Sequence, residues 1–473
     1  MPDVRILSIS QLETTWRLDP EYYSSRNDAM AVRLSRFKTR DLDSLSDRVA
    51  DGIHSSPDID ESGILYLSGK ALGFNSIQVN GALRINSRQH LQNRRSALKS
   101  RDVLITTVGH SIGNCGVVTE DLLPANIDRH LGLIRLDHTG EVDCWFLSAF
   151  LNSRYGRFQS RREQTGSAQP NLFIEKLKCI LIPELECASE VSRMTEQAYR
   201  VRNTAHRRYI AAERKMMERL GWQRPAPLKL AYEARRSHFR ACGRMDAEFY
   251  RPEEAELRNV LSREGAVNLG KIATITRGVS PTYEDGDCYV VNSQDLGPWR
   301  IDYGALAATS RTFYESDEAR PGVLEPNDVL TYATGAYLGR TNTWISSARA
   351  VAGVDVIITR IHSDAVPSAY CGLFLNSEAG QFQLRGRSVG SGQQHIYPRQ
   401  IKNVLVFAPP TAAGEVDEAW MAELAREVEE ATVAETEANK MLMEAAAAID
   451  GEIGGAERGE YPSCECQLGL SDA

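Results

Sequence analysis

Apolar positions in this chain follow two rhythms that alternate along its length. Short β-branched runs at 103–107, 131–136, 354–361 and 404–407 are bounded by Gly, Pro, Asn and Asp, which predicts strands. Residues 145–151 and 369–375 are apolar at helical spacing and stop before a Gly, which predicts short capped helices. Two longer stretches carry only a narrow stripe. In the first, Val191, Met194, Ala198, Val201, Ala205, Tyr209, Ala212, Met216 and Leu220 lie three or four residues apart. In the second, Leu424, Val428, Ala431, Ala438, Leu442, Ala445 and Ile449 keep that rhythm, with Glu435 as its one polar intruder. A stripe that narrow, with charge on the other faces, predicts the seam of a coiled coil. About 30 residues rising 1.5 Å each give rods of roughly 45 Å.

The whole pattern occurs twice. Arg17-Leu18-Asp19-Pro20-Glu21-Tyr22-Tyr23 returns as Arg244-Met245-Asp246-Ala247-Glu248-Phe249-Tyr250, displaced by 227 residues (17 to 244). Asp102-Val103-Leu104-Ile105, followed by Gly109 and Gly113, returns as Asp328-Val329-Leu330-Thr331, followed by Gly335 and Gly339. Phe150-Leu151-Asn152-Ser153 returns as Phe374-Leu375-Asn376-Ser377, with Gly156 and Gly380 three residues on. Gly166-Ser167-Ala168-Gln169 is matched by Gly390-Ser391-Gly392-Gln393, and Lys178-Cys179-Ile180-Leu181-Ile182 by Lys402-Asn403-Val404-Leu405-Val406. Solenoid units run to roughly 50 residues, so this repeat is a domain with its connector. The predicted fold is α/β (α+β) globular domains in tandem duplication. Each is followed by a long helix, and the two helices form an antiparallel coiled coil. The boundaries expected are 1–183 for the first domain with its leading segment and 184–221 for the central helix. They continue with 222–243 for a connector, 244–410 for the second domain, 411–449 for the distal helix and 450–473 for a flexible tail.

Charge sharpens the helix prediction. Residues 186–220 hold eight Arg and Lys against five Glu, while 415–444 hold ten Asp and Glu against two Arg and Lys. Single exposed pairs are worth about 0–1 kcal/mol, so this complementarity bears on which helix pairs with which more than on stability. Apolar content of 42% and charged content of 25% are ordinary for a soluble globular chain. Met1-Pro2-Asp3-Val4-Arg5 has no apolar signal core and no 18-residue apolar run follows, so a cytoplasmic protein without a membrane partner is expected. The nine cysteines form no framework, and Cys464-Glu465-Cys466 lacks the second pair that a metal site needs. The net charge of −8 does not announce a nucleic-acid binder, so basic character has to be local.

Catalytic signatures fail on inspection. Asp19-Pro20-Glu21-Tyr22 is close to the Asp-Pro-Pro-Tyr of amino-methyltransferases. Its second copy has Ala247 for the proline and Phe249 for the tyrosine, so a docking and capping segment is the plainer reading. Gly63 to Lys70 mimics a phosphate loop with the wrong spacing and with Ala71 where Ser or Thr should hold magnesium; Ile64-Leu65-Tyr66-Leu67 inside it is strand-like. No catalytic, cofactor-binding or metal-ligating residue is assigned. Binding has more support. Arginines cluster at Arg84, Arg88, Arg94, Arg95 and again at Arg154, Arg157, Arg161, Arg162. Arg300, Arg311, Arg340, Arg385 and Arg387 are interleaved with aromatics such as Tyr337. Arginine with Asn, Gln and Ser on loops is the vocabulary of phosphate contact and base-edge readout, although a solvated surface charge explains many such residues singly.

Two collinear halves, each an α/β domain followed by a long helix and marked by these paired phrases, resemble the specificity (S) subunit of type I restriction–modification systems. The resemblance covers the chain to about residue 449. It implies two target-recognition domains, each reading one part of a bipartite double-stranded DNA site, with the helices setting the spacing. It also implies a non-catalytic chain, with S-adenosylmethionine bound in two partner modification subunits and, in full systems, restriction/translocase subunits added. A self-contained methyltransferase or nuclease and a coiled-coil protein scaffold are the competing readings. Residues common to both halves, such as Gln169 and Gln393, cannot distinguish two half-sites and are expected to be framework or phosphate contacts. Base readers are expected where the halves diverge, chiefly 52–95 and 278–312, with Lys70, Arg84, Arg300 and Arg311 as candidates. Arg88, Arg94, Arg95, Tyr337 and Arg340 are expected to join them in contacting DNA.

Overall fold

The computed structural model describes residues 20–79, 82–166, 169–224, 233, 247–303, 306–390 and 392–455. The described residues divide into two compact units, 20–199 with 439–455 (unit 1) and 200–438 (unit 2). Each unit is mixed α/β, with several small sheets.

Unit 1 begins with α1 (Ser25–Leu34), β1 (Thr39–Asp41), β2 (Ser46–Asp51), β3 (Ile59–Leu67), β4 (Leu72–Gly73), β5 (Ser76–Ile77), β6 (Leu83–Ile85) and α2 (Ser87–Gln92). It continues through β7 (Val103–Thr106), β8 (Cys115–Val117), β9 (Ala125–Ile127), β10 (Leu131–Leu136), α3 (Cys144–Asn152), α4 (Arg154–Arg162), α5 (Ile174–Lys178) and β11 (Leu181–Pro183) into α6 (Ala188–Leu220). The main sheet has the order β2-β10-β7-β8, a second is β6-β3-β9, and β1 pairs with β11. Every residue of β7 is buried, which explains its unbroken β-branched and aliphatic run. Leu104 and Leu133 of the main sheet pack with Leu65, Leu67 and Ile127 of the second. Helix α3 is buried along its whole length, so its sequence is apolar all round with no polar face.

Unit 2 runs α7 (Pro252–Glu264), β12 (Ala266–Asn268), α8 (Leu269–Ile272), β13 (Ala273–Arg277), β14 (Cys288–Val291), β15 (Ala307–Thr309) and α9 (Arg311–Tyr314). Then come β16 (Val329–Tyr332), β17 (Thr341–Thr343), β18 (Ala350–Ala352), β19 (Val356–Ile361), α10 (Ser368–Asn376), α11 (Glu378–Arg387), α12 (Pro398–Ile401), β20 (Leu405–Phe407) and α13 (Glu418–Gly454), whose residues from 439 on belong to unit 1 as those of α6 from 200 on belong to unit 2. Its sheets are β13-β19-β16-β17, β15-β14-β18 and β12-β20. Apart from the β4–β5 pair, which unit 1 alone has, this is the strand order found in unit 1, down to the parallel pair in the second sheet (β3 with β9, β14 with β18). Tyr370, Leu373 and Phe374 of α10 pack with Tyr209, Met216, Met421 and Leu424 of the long helices. Each such side chain contributes roughly 1.5–3 kcal/mol by leaving water.

The long helices depart from the sequence expectation in register and ends. In α6 the buried positions run Thr195, Ala198, Arg202, Ala205, Tyr209, Ala212, Met216, so Val201 and Met194 lie beside the stripe and Arg202 lies in it. An arginine stem buries like an aliphatic chain when its head has a carboxylate to meet. Within unit 2 that carboxylate is Glu435, the intruder of the other stripe, with Arg202 Nε 2.9 Å from its Oε1. Further ion pairs join the same helices: Arg208–Glu430 at 3.2 Å, Lys215–Glu427 at 2.7 Å and Arg219–Asp417 at 2.9 Å. In unit 1 the carboxylate of Glu452 accepts the backbone N–H groups of Glu186 (2.8 Å) and Cys187 (3.0 Å), which cap the start of α6. Helix α13 reaches Gly454, past the expected end at 449, and starts only at Glu418. Most of the expected connector, and Cys464 and Cys466, lie outside the described residues.

Candidate nucleic-acid interface

The phrases that repeat turn out to be occupied by the scaffold. Asp102 is 1% exposed and takes a two-pronged contact from Arg135, with Nε and Nη2 each 2.7 Å from a carboxylate oxygen. Asp328 does the same with Arg360, at 2.8 and 2.7 Å. Asn376 binds the start of the edge strand, accepting from Thr341 N–H at 2.8 Å and donating back to Thr341 O. Asn152 donates to Cys115 O at 3.1 Å in the equivalent place. Ser153 and Ser377 cap the next helix by accepting from Gly156 and Gly380 N–H, each at 3.3 Å. A Cβ at Gly156 or Gly380 would sit 2.1 Å from a backbone carbonyl oxygen of the preceding helix, Phe150 O or Phe374 O, so the glycine is a steric requirement. Of the opening phrase, the described parts form matching 3-10 turns, Pro20–Tyr23 and Ala247–Tyr250. Their aromatic pairs are both edge-on, Tyr22 with Tyr23 at 4.8 Å and Phe249 with Tyr250 at 5.1 Å. Arg17 to Asp19 and Arg244 to Asp246 lie outside the described residues.

Much of the basic character is likewise spent internally. Arg157 donates to Asn114 (2.8 Å), Arg162 lies 4.4 Å over the Tyr22 ring, and Arg387 is buried against Glu254 at 2.7 Å. Arg300, a candidate base reader from the sequence, is placed in a buried ionic cluster. Its side chain is 13% exposed and donates to the Glu435 carboxylate that Arg202 also meets, while the preceding Trp299 stacks on His206 at 5.5 Å. Burial pulls its guanidinium below the ordinary value, Glu435 opposes, and Arg202 adds to the fall. Such a residue fastens the divergent stretch to α13 through Glu435. Arg311 is exposed at the start of α9 but engages Glu315 one turn on, at 2.8 Å.

What remains accessible falls in two sets. In unit 1, Lys70 is exposed in the 3-10 turn Gly69–Ala71, and Arg88 and Arg94 are exposed on α2 and the turn after it. Arg84 donates to Gly63 O at 3.0 Å, and Arg95 pairs with Asp51, which His54 also reaches at 2.6 Å. In unit 2, Tyr337 is 45% exposed and the Arg340 guanidinium carbon lies 3.8 Å from its ring centroid. Gln393, exposed beside them, donates to Thr334 Oγ1 at 3.2 Å, and Gln169 is exposed in the equivalent loop of unit 1. His110 is exposed on the turn that corresponds to Tyr337's, and the paired Gly109 and Gly113 were the signal that could have marked it.

The divergent stretch of unit 2 also contains a strained acid. Asp295, 3% exposed, accepts from Asn292 N–H at 2.7 Å and is pushed up to about 7, by burial first and by Asp302 as well. A carboxyl whose value rises on folding binds its proton more tightly in the native state. Stability therefore falls as pH rises from about 4, the free value, to about 7, and is level above that. Asp295→Asn keeps the acceptor for Asn292 and removes the charge. Its unfolding midpoint is expected to exceed that of the parent at pH 8 and to converge on it at pH 4; an equal offset at both pH values would refute this assignment.

Among the described residues no His, Cys, Asp or Glu side chains converge as a metal would need, and no helix is long and apolar enough to cross a membrane. No family model matches the chain, and no curated protein does. Solved structures similar to the chain include two type I restriction–modification S subunits. The S subunit from M. genitalium shares 14% identity, with 88% of this chain and 95% of that one covered and a TM-score of 0.39. The HsdS subunit from Thermoanaerobacter tengcongensis shares 16%, covering 89% and 97% with a TM-score of 0.29. A chain described for the complex assembly and conformational transition of the type I R-M system shares 15%, covering 88% and 97% at 0.28.

Proposed function

We propose that this chain is a non-catalytic DNA sequence-recognition subunit of a type I restriction–modification complex. In this reading the two units are a tandem duplication of a target-recognition domain, each reading one part of a bipartite double-stranded site. The helices α6 and α13 are an antiparallel coiled coil that sets the number of unread base pairs between the parts. Two modification subunits supply S-adenosylmethionine and methyl transfer, and restriction/translocase subunits join them in a full system. The observation that carries the reading is a division of labour. Most residues common to the two halves, such as Asp102 and Asp328 or Ser153 and Ser377, are occupied in holding matching sheets and turns, while side chains at other matching places, such as His110 and Ala336, differ in chemistry. Two frames of one design with two different faces suit a site of two unlike parts. The opposite charge of the helices and the ion pairs between them support the coiled coil.

The reading is tested by co-expressing the chain with its modification subunits and mapping adenine methylation along the host DNA. A split motif with a fixed gap is expected, and methylation that ignores sequence would sink the proposal. The purified chain alone, given labelled S-adenosylmethionine and DNA, is expected to transfer nothing; transfer would favour the self-contained methyltransferase.

A further inference from the structure

The turn between β16 and β17 in unit 2 and the turn between β7 and β8 in unit 1 share one backbone frame. Gly109 and Gly335 have φ of +90° and +73°, and Gly113 and Gly339 have +90° and +93°. Gly113 N–H donates to Thr106 O and Gly339 N–H to Tyr332 O, at 3.1 and 2.9 Å. Each frame is also tied to the neighbouring Gly-x-x-Gln loop, Gly109 N–H to Pro170 O and Gly335 N–H to Gln394 O, both at 2.9 Å. Side chains at matching places on these turns are therefore presented from the same backbone, and their identity decides what each turn can contact.

That identity differs. Unit 1 carries Ser111 and Asn114, and Asn114 is committed to Leu72 O (3.2 Å) and to Arg157 (2.8 Å). Unit 2 carries Tyr337 and Arg340 in those places. The guanidinium of Arg340 lies over the Tyr337 ring at 3.8 Å, and Tyr332 stands edge-on to that ring at 6.3 Å. Among the described residues no carboxylate pairs with Arg340; its electrostatic neighbours are the two tyrosines. Arg340 is half-buried, and burial pulls its guanidinium below the ordinary value while the tyrosines oppose the fall; a planar guanidinium fork held over a ring matches the O6 and N7 of guanine in the major groove.

We infer that Arg340, held in plane by Tyr337, is a specificity-determining contact to a guanine in the half-site read by unit 2. The inference rests on the DNA-recognition reading above. Its experiment maps methylation motifs for the complete complex with the parent chain, Arg340→Ala and Arg340→Lys. The parent must first give a bipartite motif; if it does not, the function proposed above fails, and this contact with it. Given that motif, both variants are expected to lose discrimination at one guanine position in one half only, by about 5- to 150-fold. The lysine variant keeps stem and charge, so it decides the matter if the alanine variant does not fold. An unchanged motif overturns the inference. So does a loss spread evenly over all sequences, which would make Arg340 a phosphate contact.

Discussion

Replacing Glu435 with alanine is expected to cost unit 2 about 3–5 kcal/mol of stability. Its carboxylate is 2% exposed and receives two guanidiniums, from Arg202 (10% exposed) and Arg300 (13% exposed). Arg202 cannot turn to water without dragging its stem out of the packed stripe, Arg300 is buried beside it, and without that carboxylate the two like charges face each other. Removing one member of a buried ionic group costs far more than the group contributes net. Glu435→Gln, which keeps an acceptor and drops the charge, is expected to fall between alanine and the parent. The triple change Glu435→Leu, Arg202→Leu, Arg300→Met is expected to recover most of the loss, because it removes every charge together. Denaturant unfolding followed through the Trp299 environment measures each case. A loss below about 1 kcal/mol for Glu435→Ala would mean that water reaches the cluster.

This cluster also marks where sequence reasoning stopped. Strands were legible where β-branched runs met turn residues, and the repeat was legible because residues recurred in order. Glu435 was legible as an intruder in an apolar rhythm. Its partners were not, because Arg202 sits one place from an equally spaced Val201, and Arg300 lies 135 residues away along the chain. Charge near a divergent stretch marks Arg300 in the sequence as a base-reader candidate, and its burial against Glu435 is visible only in the fold. The Arg311–Glu315 pair, one helical turn apart, is legible in the sequence as an i, i+4 ion pair. The stacked Tyr337 and Arg340 were singled out from composition alone, while their standing on a frame shared with Ser111 and Asn114 needed the turn geometry.

The second large effect is expected at the Asp–Arg forks, and it should differ between the units in a defined direction. Arg135→Met leaves the Asp102 carboxylate, 1% exposed, with a single backbone donor, Lys99 N–H at 2.7 Å. Arg360→Met leaves Asp328 with Glu325 N–H at 2.8 Å. A buried carboxylate without its cation costs about 3–5 kcal/mol. The Arg135 side chain is 16% exposed and that of Arg360 is 34% exposed, so solvent screens the second fork more and unit 1 should lose more. Arginine-to-lysine changes should not rescue either site, since a point charge cannot span two carboxylate oxygens. The paired change Asp328→Asn with Arg360→Met should be milder than Arg360→Met alone, as the double-mutant cycle would register. If Arg135→Met and Arg360→Met each cost less than about 1 kcal/mol, the repeated Asp-Val-Leu phrase owes its recurrence to something other than this fork.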